Sequence, residues 1–119
     1  MQRVRLFVYG TLKRGFARED LMAGAVFESS ATTQRGYALH DLGAYPALVI
    51  AAEGMVHGEL YWVAPEHLAV LDRYEGCPDL YQRQSIVLSD GTSAEAYLMS
   101  AARVRGCPRI DGGEFRPGR

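Results

Sequence analysis

Short segments in which apolar and polar residues alternate recur along most of the chain, and this period of two is typical of β-strands. The clearest segments run from Arg3 to Tyr9, Ala25 to Thr33, Tyr37 to Leu42 and Met55 to Val63. A fifth segment, Ala47 to Ala52, is apolar throughout, and we interpret it as a buried strand. The pattern therefore predicts a protein built mainly from strands.

One segment has the features of a helix. Pro65 stands at the first helical position, and the acidic Glu66 follows it in the first turn. The segment continues to about Tyr74, after which Gly76 and Pro78 end it. The sequence therefore predicts one main helix in this part of the chain.

Two further alternating segments, Tyr81 to Leu88 and Ala94 to Met99, flank Asp90-Gly91, a pair typical of a tight hairpin turn. About six or seven strands, one main helix and no repeating β-α unit favour an α+β fold in which a small mixed sheet curls into a β-barrel. We expect residues 1–119 to form a single domain. Its tail, from about Arg103, is rich in Gly, Pro and Arg and should pack loosely.

Composition and charge narrow the class of protein. Hydrophobic residues make up 48% of the 119 residues and charged residues 23%, values typical of a globular domain rather than a disordered or coiled-coil chain. The net charge is -1 and the basic residues are scattered, so we expect no nucleic-acid partner. No apolar run approaches the roughly 18 residues of a membrane span, and Arg3 and Arg5 lie inside the strand-like pattern of Met1 to Tyr9 rather than ahead of a signal-peptide core. These features predict a soluble, cytoplasmic protein with no membrane partner.

Residues that bind metals or form disulfides are few. Cys77 and Cys107 lack the spacing of a zinc site, and so do His40, His57 and His67. We therefore expect no metal and no cofactor. The two cysteines are expected to be free thiols in a reducing compartment, with a disulfide between them as the alternative.

Glu75 is unusual because it shares a helix face with apolar residues. Leu68, Leu71 and Glu75 are separated by three and four residues, which places them on one side of the helix. Burial there, next to the C-terminal end of the helix, would raise the pKa of this carboxyl and suit it to moving a proton near neutral pH. The alternative is a structural glutamate that reaches solvent or pairs with Arg73 or Arg83.

The first strand ends in a loop that contains two glycines, Gly10 and Gly15. The loop lacks the pattern of a nucleotide-binding loop, because Gly15 is followed by Phe16 and Ala17. A turn of this kind offers successive backbone N–H groups, which suit a carboxylate. The alternative is an ordinary glycine turn with no ligand.

The sequence gives little evidence for a serine or cysteine that acts as a catalytic nucleophile. No G-x-S-x-G motif surrounds a serine, and Cys77 has no histidine near it in the chain. The hydroxyl groups of Tyr9, Tyr81 and Tyr97 are candidates to reach a site, although buried tyrosines more often serve a core. A serine or cysteine hydrolase is therefore not expected.

Three segments together resemble one known family. Val8–Gly15 carries V-Y-G-T-L-K-R-G, Gly58–Tyr61 carries G-E-L-Y, and Leu71–Arg83 carries L-D-R-Y-E-G-C-P-D-L-Y-Q-R. In this order and spacing they resemble the gamma-glutamylcyclotransferase-like family, and within it the gamma-glutamylaminecyclotransferase branch. The tail differs, because Gly113–Arg116 stands where relatives often have Gly-Asp-Trp.

The resemblance implies a small mixed β-barrel, a glutamate that acts as general acid and base, and a turn that holds the glutamyl end of the substrate. Position by position, it makes Glu75 the catalytic residue. The substrate-binding residues that it implies are Tyr9, Gly10, Thr11 and Leu12.

The implied reaction needs no nucleophile from the protein, because the α-amino nitrogen of a gamma-glutamyl amide closes onto its own γ-carbonyl carbon. The products are 5-oxoproline and a free amine. We expect a monomeric enzyme that acts on a small gamma-glutamyl amide, with a backbone N–H or the hydroxyl of Tyr81 stabilising the oxyanion. Two alternatives stay open: removal of a gamma-glutamyl protecting group from a natural product, and a non-catalytic barrel that binds a carboxylate ligand.

Overall fold

Seven strands and one α-helix form from the alternating segments and the helical segment of the sequence. The computed structural model describes residues 2–116. In chain order the elements are β1 (Val4–Val8), β2 (Val26–Thr32), β3 (Tyr37–Asp41), β4 (Pro46–Ile50), β5 (His57–Val63), α1 (Pro65–Tyr74), β6 (Gln82–Val87) and β7 (Ser93–Leu98). Short 3-10 turns cover Glu19–Met22, Ala101–Val104 and Asp111–Gly113. No helix of residues 2–116 is long and apolar enough to cross a lipid bilayer.

All seven strands belong to one sheet, in which β7 has three neighbours. Along one edge β7 pairs with β6 over its whole length, from Ser93 opposite Val87 to Leu98 opposite Gln82. Its other edge is shared by two parallel strands, because β1 joins it at Glu95 and β4 joins it at Leu98. The end of β1 and the start of β4 therefore meet beside β7, and the sheet splits between them.

The α+β class is confirmed, but the sheet does not close into the predicted barrel. β2 and β3 stand at the two ends of the strand order, and among the described strands β3 pairs with β4 alone. β2 approaches the β6–β7 hairpin through an isolated bridge between Thr33 and Leu88. The alternating pattern indicates which segments form strands, whereas closure depends on how far neighbouring strands pair, and the split beside β7 leaves the sheet open.

Both faces of β1 are buried, so this strand lies between two apolar clusters. Leu6 and Val8 belong to the cluster that contains Leu68 and Leu71 of α1. Phe7, on the opposite face of the strand, belongs to the second cluster. Because successive strand side chains point to opposite faces, this burial sets the register of β1 and with it the position of the residues that follow Val8.

The tail packs more closely than its composition suggests. Val104, Ile110 and Phe115 are buried, with 3%, 6% and 9% of their surfaces exposed. The ring of Phe115 lies 5.9 Å from the ring of Phe16, in the loop after β1. The prediction of a loose tail rests on the Gly, Pro and Arg content, whereas in the described part of the tail, up to Arg116, these spaced apolar side chains are packed against the domain. Residues 117–119 lie outside the described residues.

Candidate active site

A cavity of about 200 Å³ opens where the sheet splits, between the residues that follow β1, the first residue of β4 and the end of α1. It is lined by all six residues that were expected to form a site: Tyr9, Gly10, Thr11, Leu12, Glu75 and Tyr81. These residues are far apart in the sequence, and the fold brings them together because β1 and α1 end at the same cavity. This cavity is the candidate active site.

Glu75 follows the last residue of α1, and its N–H still donates to the carbonyl of Leu71 at 2.9 Å. This hydrogen bond keeps Glu75 on the helix face of the buried Leu71, and its side chain lines the cavity. Glu75 is half-buried and forms no salt bridge within residues 2–116. The alternative in which it pairs with Arg73 or Arg83 is therefore not observed.

Burial changes the proton affinity of this carboxyl. Loss of hydration disfavours the charged form and raises the pKa of Glu75 to about 7. An ordinary surface glutamate, with a pKa of about 4.3, is almost fully ionised at neutral pH. Glu75 is instead present in both forms near neutrality, so it can accept a proton and return it.

An ion-pair network holds the end of α1 in place. The Arg83 guanidinium donates to both carboxylate oxygens of Asp72, at 2.9 and 3.2 Å, and to Glu95 at 2.9 Å. The Tyr97 hydroxyl donates to the same Asp72 at 2.7 Å. Asp72 lies one helical turn before Glu75, so the network ties the turn that carries Glu75 to β6 and β7. Asp72 is not among the predicted site residues, although its spacing of three residues from Glu75 is a signal for a shared role.

The turn after β1, from Gly10 to Lys13, closes through a hydrogen bond from the Lys13 N–H to the Gly10 carbonyl at 3.1 Å. The N–H groups of Gly10, Thr11 and Leu12 have no acceptor in the described part of the chain. These three consecutive donors belong to residues of the cavity lining, where they can bind an anion such as a carboxylate.

Gly10 is required by the close approach of β4. A Cβ at this position would lie 2.8 Å from Cγ and 2.9 Å from Cδ of Pro46, the first residue of β4. A residue without a side chain lets the turn and the strand touch. Because Pro46 also lines the cavity, this contact sets how far the turn stands from β4.

The candidate tyrosine hydroxyls each donate their single proton within the protein. Tyr9 donates to the carbonyl of Tyr97 at 2.6 Å. Tyr81 donates to the carbonyl of Pro46 at 2.8 Å. Burial raises the pKa of Tyr9 and of Tyr81, so both stay protonated at neutral pH. Their oxygens are left as acceptors. An oxyanion role for Tyr81 would require its hydroxyl proton, which is already donated to the carbonyl of Pro46.

The mouth of the cavity is apolar. Tyr45, Tyr74 and Leu80 line it and keep 37%, 43% and 36% of their surfaces exposed. Among the described residues, the lining contains one charged side chain, that of Glu75. The mouth therefore presents mainly apolar surface to a ligand, and the Arg18 guanidinium lies at its border, 5.3 Å from the centre of the Tyr74 ring. Sequence patterns did not indicate these three residues, because they meet at one cavity through the fold alone.

The remaining candidate residues lie outside this arrangement. No group of three or more His, Cys, Asp or Glu side chains within residues 2–116 is placed to hold a metal ion. Cys77 and Cys107 are free thiols, and neither lines the cavity. Burial raises the pKa of the Cys77 thiol, which lowers its reactivity at neutral pH.

Comparison with known proteins points to one family. The family model described as gamma-glutamyl cyclotransferase, AIG2-like, matches residues 6–117. Gamma-glutamylaminecyclotransferase A of Danio rerio is 36% identical over 112 residues, which cover 83% of this chain and 70% of that protein. A gamma-glutamylcyclotransferase family protein of Citrobacter rodentium is 33% identical over 112 residues, which cover 94% of this chain and 95% of that protein. The crystal structure of an AIG2-like protein from Mus musculus superimposes with a TM-score of 0.81 and 26% identity, covering 98% of this chain and 97% of that one.

The raised pKa of Glu75 should make the folded state less stable as the pH rises. Between about pH 4.5 and pH 7 the unfolded chain releases a proton that the folded protein retains, so stability is lost across that window. We expect Glu75→Gln, which keeps the shape and removes the charge, to raise the free energy of unfolding at pH 8 by on the order of 1–3 kcal/mol. At pH 4 the two proteins should be about equally stable.

Urea denaturation at pH 4 and pH 8 measures this difference. The control is Glu53→Gln, which removes the charge of an exposed glutamate outside the cavity lining and should change stability equally at both pH values. A Glu75→Gln variant that is less stable than the parent protein at pH 8 would contradict the prediction.

Proposed function

The chain belongs to the gamma-glutamyl cyclotransferase, AIG2-like family of enzymes, and we propose that it is a gamma-glutamylamine cyclotransferase. In the proposed reaction the gamma-glutamyl part of a small amide cyclises to 5-oxoproline, and the free amine leaves. The observation that carries the proposal is a shared cavity, lined both by a half-buried carboxyl with a pKa of about 7 and by three unpaired backbone N–H donors.

A gamma-glutamyl amide carries its own nucleophile. Its α-amino nitrogen closes onto the γ-carbonyl carbon to form a five-membered ring, so the protein need not supply a serine or cysteine. Holding the chain in the ring-closing conformation can lower the barrier by about 7–11 kcal/mol. Positioning and proton transfer are therefore the two tasks of the protein.

The turn after β1 supports the positioning task. Its free N–H groups, at Gly10, Thr11 and Leu12, would bind the α-carboxylate of the glutamyl group. The acceptor oxygens of Tyr9 and Tyr81 would bind the α-ammonium group. The backbone N–H donors would thus bind the carboxylate and the tyrosine oxygens would bind the ammonium group, so the glutamyl group would bind in one orientation.

Glu75 supports the proton transfer. In its ionised form it accepts a proton from the α-ammonium group, whose nitrogen then attacks the γ-carbonyl carbon and forms the new C–N bond. The tetrahedral intermediate collapses when protonated Glu75 donates that proton to the leaving nitrogen and the old C–N bond breaks. The attacking nitrogen loses a second proton as it becomes the lactam N–H, and the released amine takes it up, so the protons balance.

The apolar mouth supports an amine as the leaving group. Tyr45, Tyr74 and Leu80 carry no charge. The Arg18 guanidinium, 5.3 Å from the centre of the Tyr74 ring, is paired with Asp20 at 3.4 Å, so a carboxylate next to the scissile nitrogen of an amino-acid leaving group would compete with Asp20 for it. An alkyl chain on that nitrogen would instead bury apolar surface against the three side chains of the mouth.

We also propose that the enzyme acts as a monomer in the cytoplasm. Within this one chain, the cavity lining already includes the carboxyl, the free N–H donors and the apolar mouth that the proposed reaction uses. The two free thiols are compatible with a reducing compartment.

A panel of gamma-glutamyl amides tests which amine leaves. We expect kcat/KM for gamma-glutamyl-ε-lysine to exceed that for gamma-glutamyl-alanine by about tenfold or more, because an unpaired carboxylate at the apolar mouth is desolvated at a cost. Chromatographic measurement of 5-oxoproline and of released amine provides the values. A preference for gamma-glutamyl-alanine would contradict the amine assignment and leave the cyclisation intact. A large preference for a gamma-glutamyl natural-product amine in the same panel would favour the protecting-group alternative.

Replacing the proposed general acid and base tests catalysis. We expect Glu75→Gln to fold and to lose 5-oxoproline formation by about 10²–10⁴-fold, because an amide side chain cannot carry the proton. In the parent enzyme, kcat/KM should rise with pH through about 7, since the ionised form of Glu75 starts the reaction. The measurements are initial rates between pH 5 and pH 9.

The matched control, Glu53→Gln, should keep both the parent rate and the parent pH profile. Full activity of Glu75→Gln would remove the proposed mechanism. A parent protein that binds 5-oxoproline or glutamate without turning over any amide would favour the non-catalytic carboxylate-binding alternative.

A further inference from the structure

Lys13 places a buried ammonium group beside the proposed substrate turn. It is the one lysine in a chain of thirteen lysines and arginines, and 5% of its surface is exposed. A buried cation is unfavourable unless hydrogen bonds or opposite charges compensate it. The partners of this ammonium group therefore indicate what it does.

The ammonium group of Lys13 contacts the C-terminal segment. Its Nζ donates to the carbonyl oxygen of Phe115 at 2.9 Å and lies 4.4 Å from the centre of the Phe16 ring. The rings of Phe16 and Phe115 are 5.9 Å apart, so the three residues form one contact, which we call the lysine cluster. Burial lowers the pKa of Lys13, whereas the carboxylates of Glu114 and Glu59 act to raise it.

The main chain of Lys13 belongs to the turn itself. Its N–H closes the turn onto Gly10 at 3.1 Å, and the N–H of Arg14 donates to Oε1 of Glu59 at 3.0 Å. The turn is thus attached to β5 through Glu59 and to the tail through the side chain of Lys13. On the opposite side, Pro46 limits its movement at Gly10.

We propose that Lys13 is a positioning residue for substrate binding. By linking the turn to the buried Phe115, it holds the N–H groups of Gly10, Thr11 and Leu12 where they meet the α-carboxylate of the substrate. The inference rests on the proposed function, because that function assigns these N–H groups to the carboxylate. A compact ammonium group can be accommodated by one carbonyl acceptor and one aromatic ring, whereas a guanidinium group has five N–H donors and needs more acceptors. This difference explains why a lysine occupies the position.

The decisive variant is Lys13→Met, which keeps the length of the side chain and leaves the Phe115 carbonyl without its donor. We expect KM for gamma-glutamyl-ε-lysine to rise about tenfold, because the loosened turn binds the carboxylate more weakly. The value of kcat should change by less than about twofold, since Glu75 lies outside the lysine cluster. The pH midpoint of kcat/KM should stay where it is in the parent enzyme.

Phe115→Leu removes the ring contact and should raise KM in the same direction. The double variant should raise KM no more than the stronger single variant, because both substitutions act on one contact. The matched control is Val63→Ala, at a fully buried position opposite Val4, in the apolar cluster that does not contain Phe115. It should lower Tm and leave KM unchanged.

An unchanged KM in Lys13→Met, or effects that multiply in the double variant, would overturn the inference. If Lys13→Met does not fold, amide hydrogen exchange at residues 13 and 14 of Phe115→Leu decides instead: faster exchange supports the link, and unchanged exchange overturns it. A parent enzyme that forms 5-oxoproline from no gamma-glutamyl amide would contradict the proposed function. The exchange measurement would then still test whether the tail holds the turn.

Discussion

The edge of β7 that faces away from β6 is shared by β1 and β4, and the cavity depends on how they share it. If one strand covered the whole edge, the sheet would be continuous there, and the backbone that follows Val8 would be paired in a ladder. Because β1 stops after a single pairing with β7, residues 10–12 leave the sheet with their N–H groups free. The split thus creates both the cavity and the donors at its wall.

The helix end meets two opposed requirements. For the proton transfer that we propose, Glu75 must stay in place, yet it must not be neutralised by a cation, because a nearby positive charge would lower its pKa. Arg83 satisfies both requirements, since its guanidinium is occupied by Asp72 and Glu95 while it fastens the helix turn to β6 and β7. An arginine that paired with Glu75 itself would give a more stable helix end and a weaker proton acceptor. A buried carboxyl without a cation partner, with a raised pKa and with its helix turn fastened by neighbouring residues, is an arrangement common at functional sites.

Local patterns predicted the elements, and contacts between distant segments decided the rest. Alternation over Arg3–Tyr9 predicts β1, and the spacing of Leu68, Leu71 and Glu75 predicts a carboxyl on a buried helix face, because both signals report the geometry of one segment. The open sheet, the packed tail and the pairing of Asp72 with Arg83 were not predictable in this way. Each of these three features depends on which distant segments come into contact in the fold. The residue pattern within one segment does not contain that information.

In the proposed reaction, the hydrogen bonds of Tyr9 and Tyr81 also bear on how the enzyme empties its site after each turnover. Because both protons are donated inward, the two oxygens attract a group rich in N–H bonds. The substrate brings a positively charged nitrogen with three hydrogens, whereas the lactam nitrogen of 5-oxoproline is neutral and has one. Ring closure therefore removes the positive charge that the two tyrosine oxygens bind. As a result, these oxygens bind 5-oxoproline more weakly than the substrate, and product release is favoured.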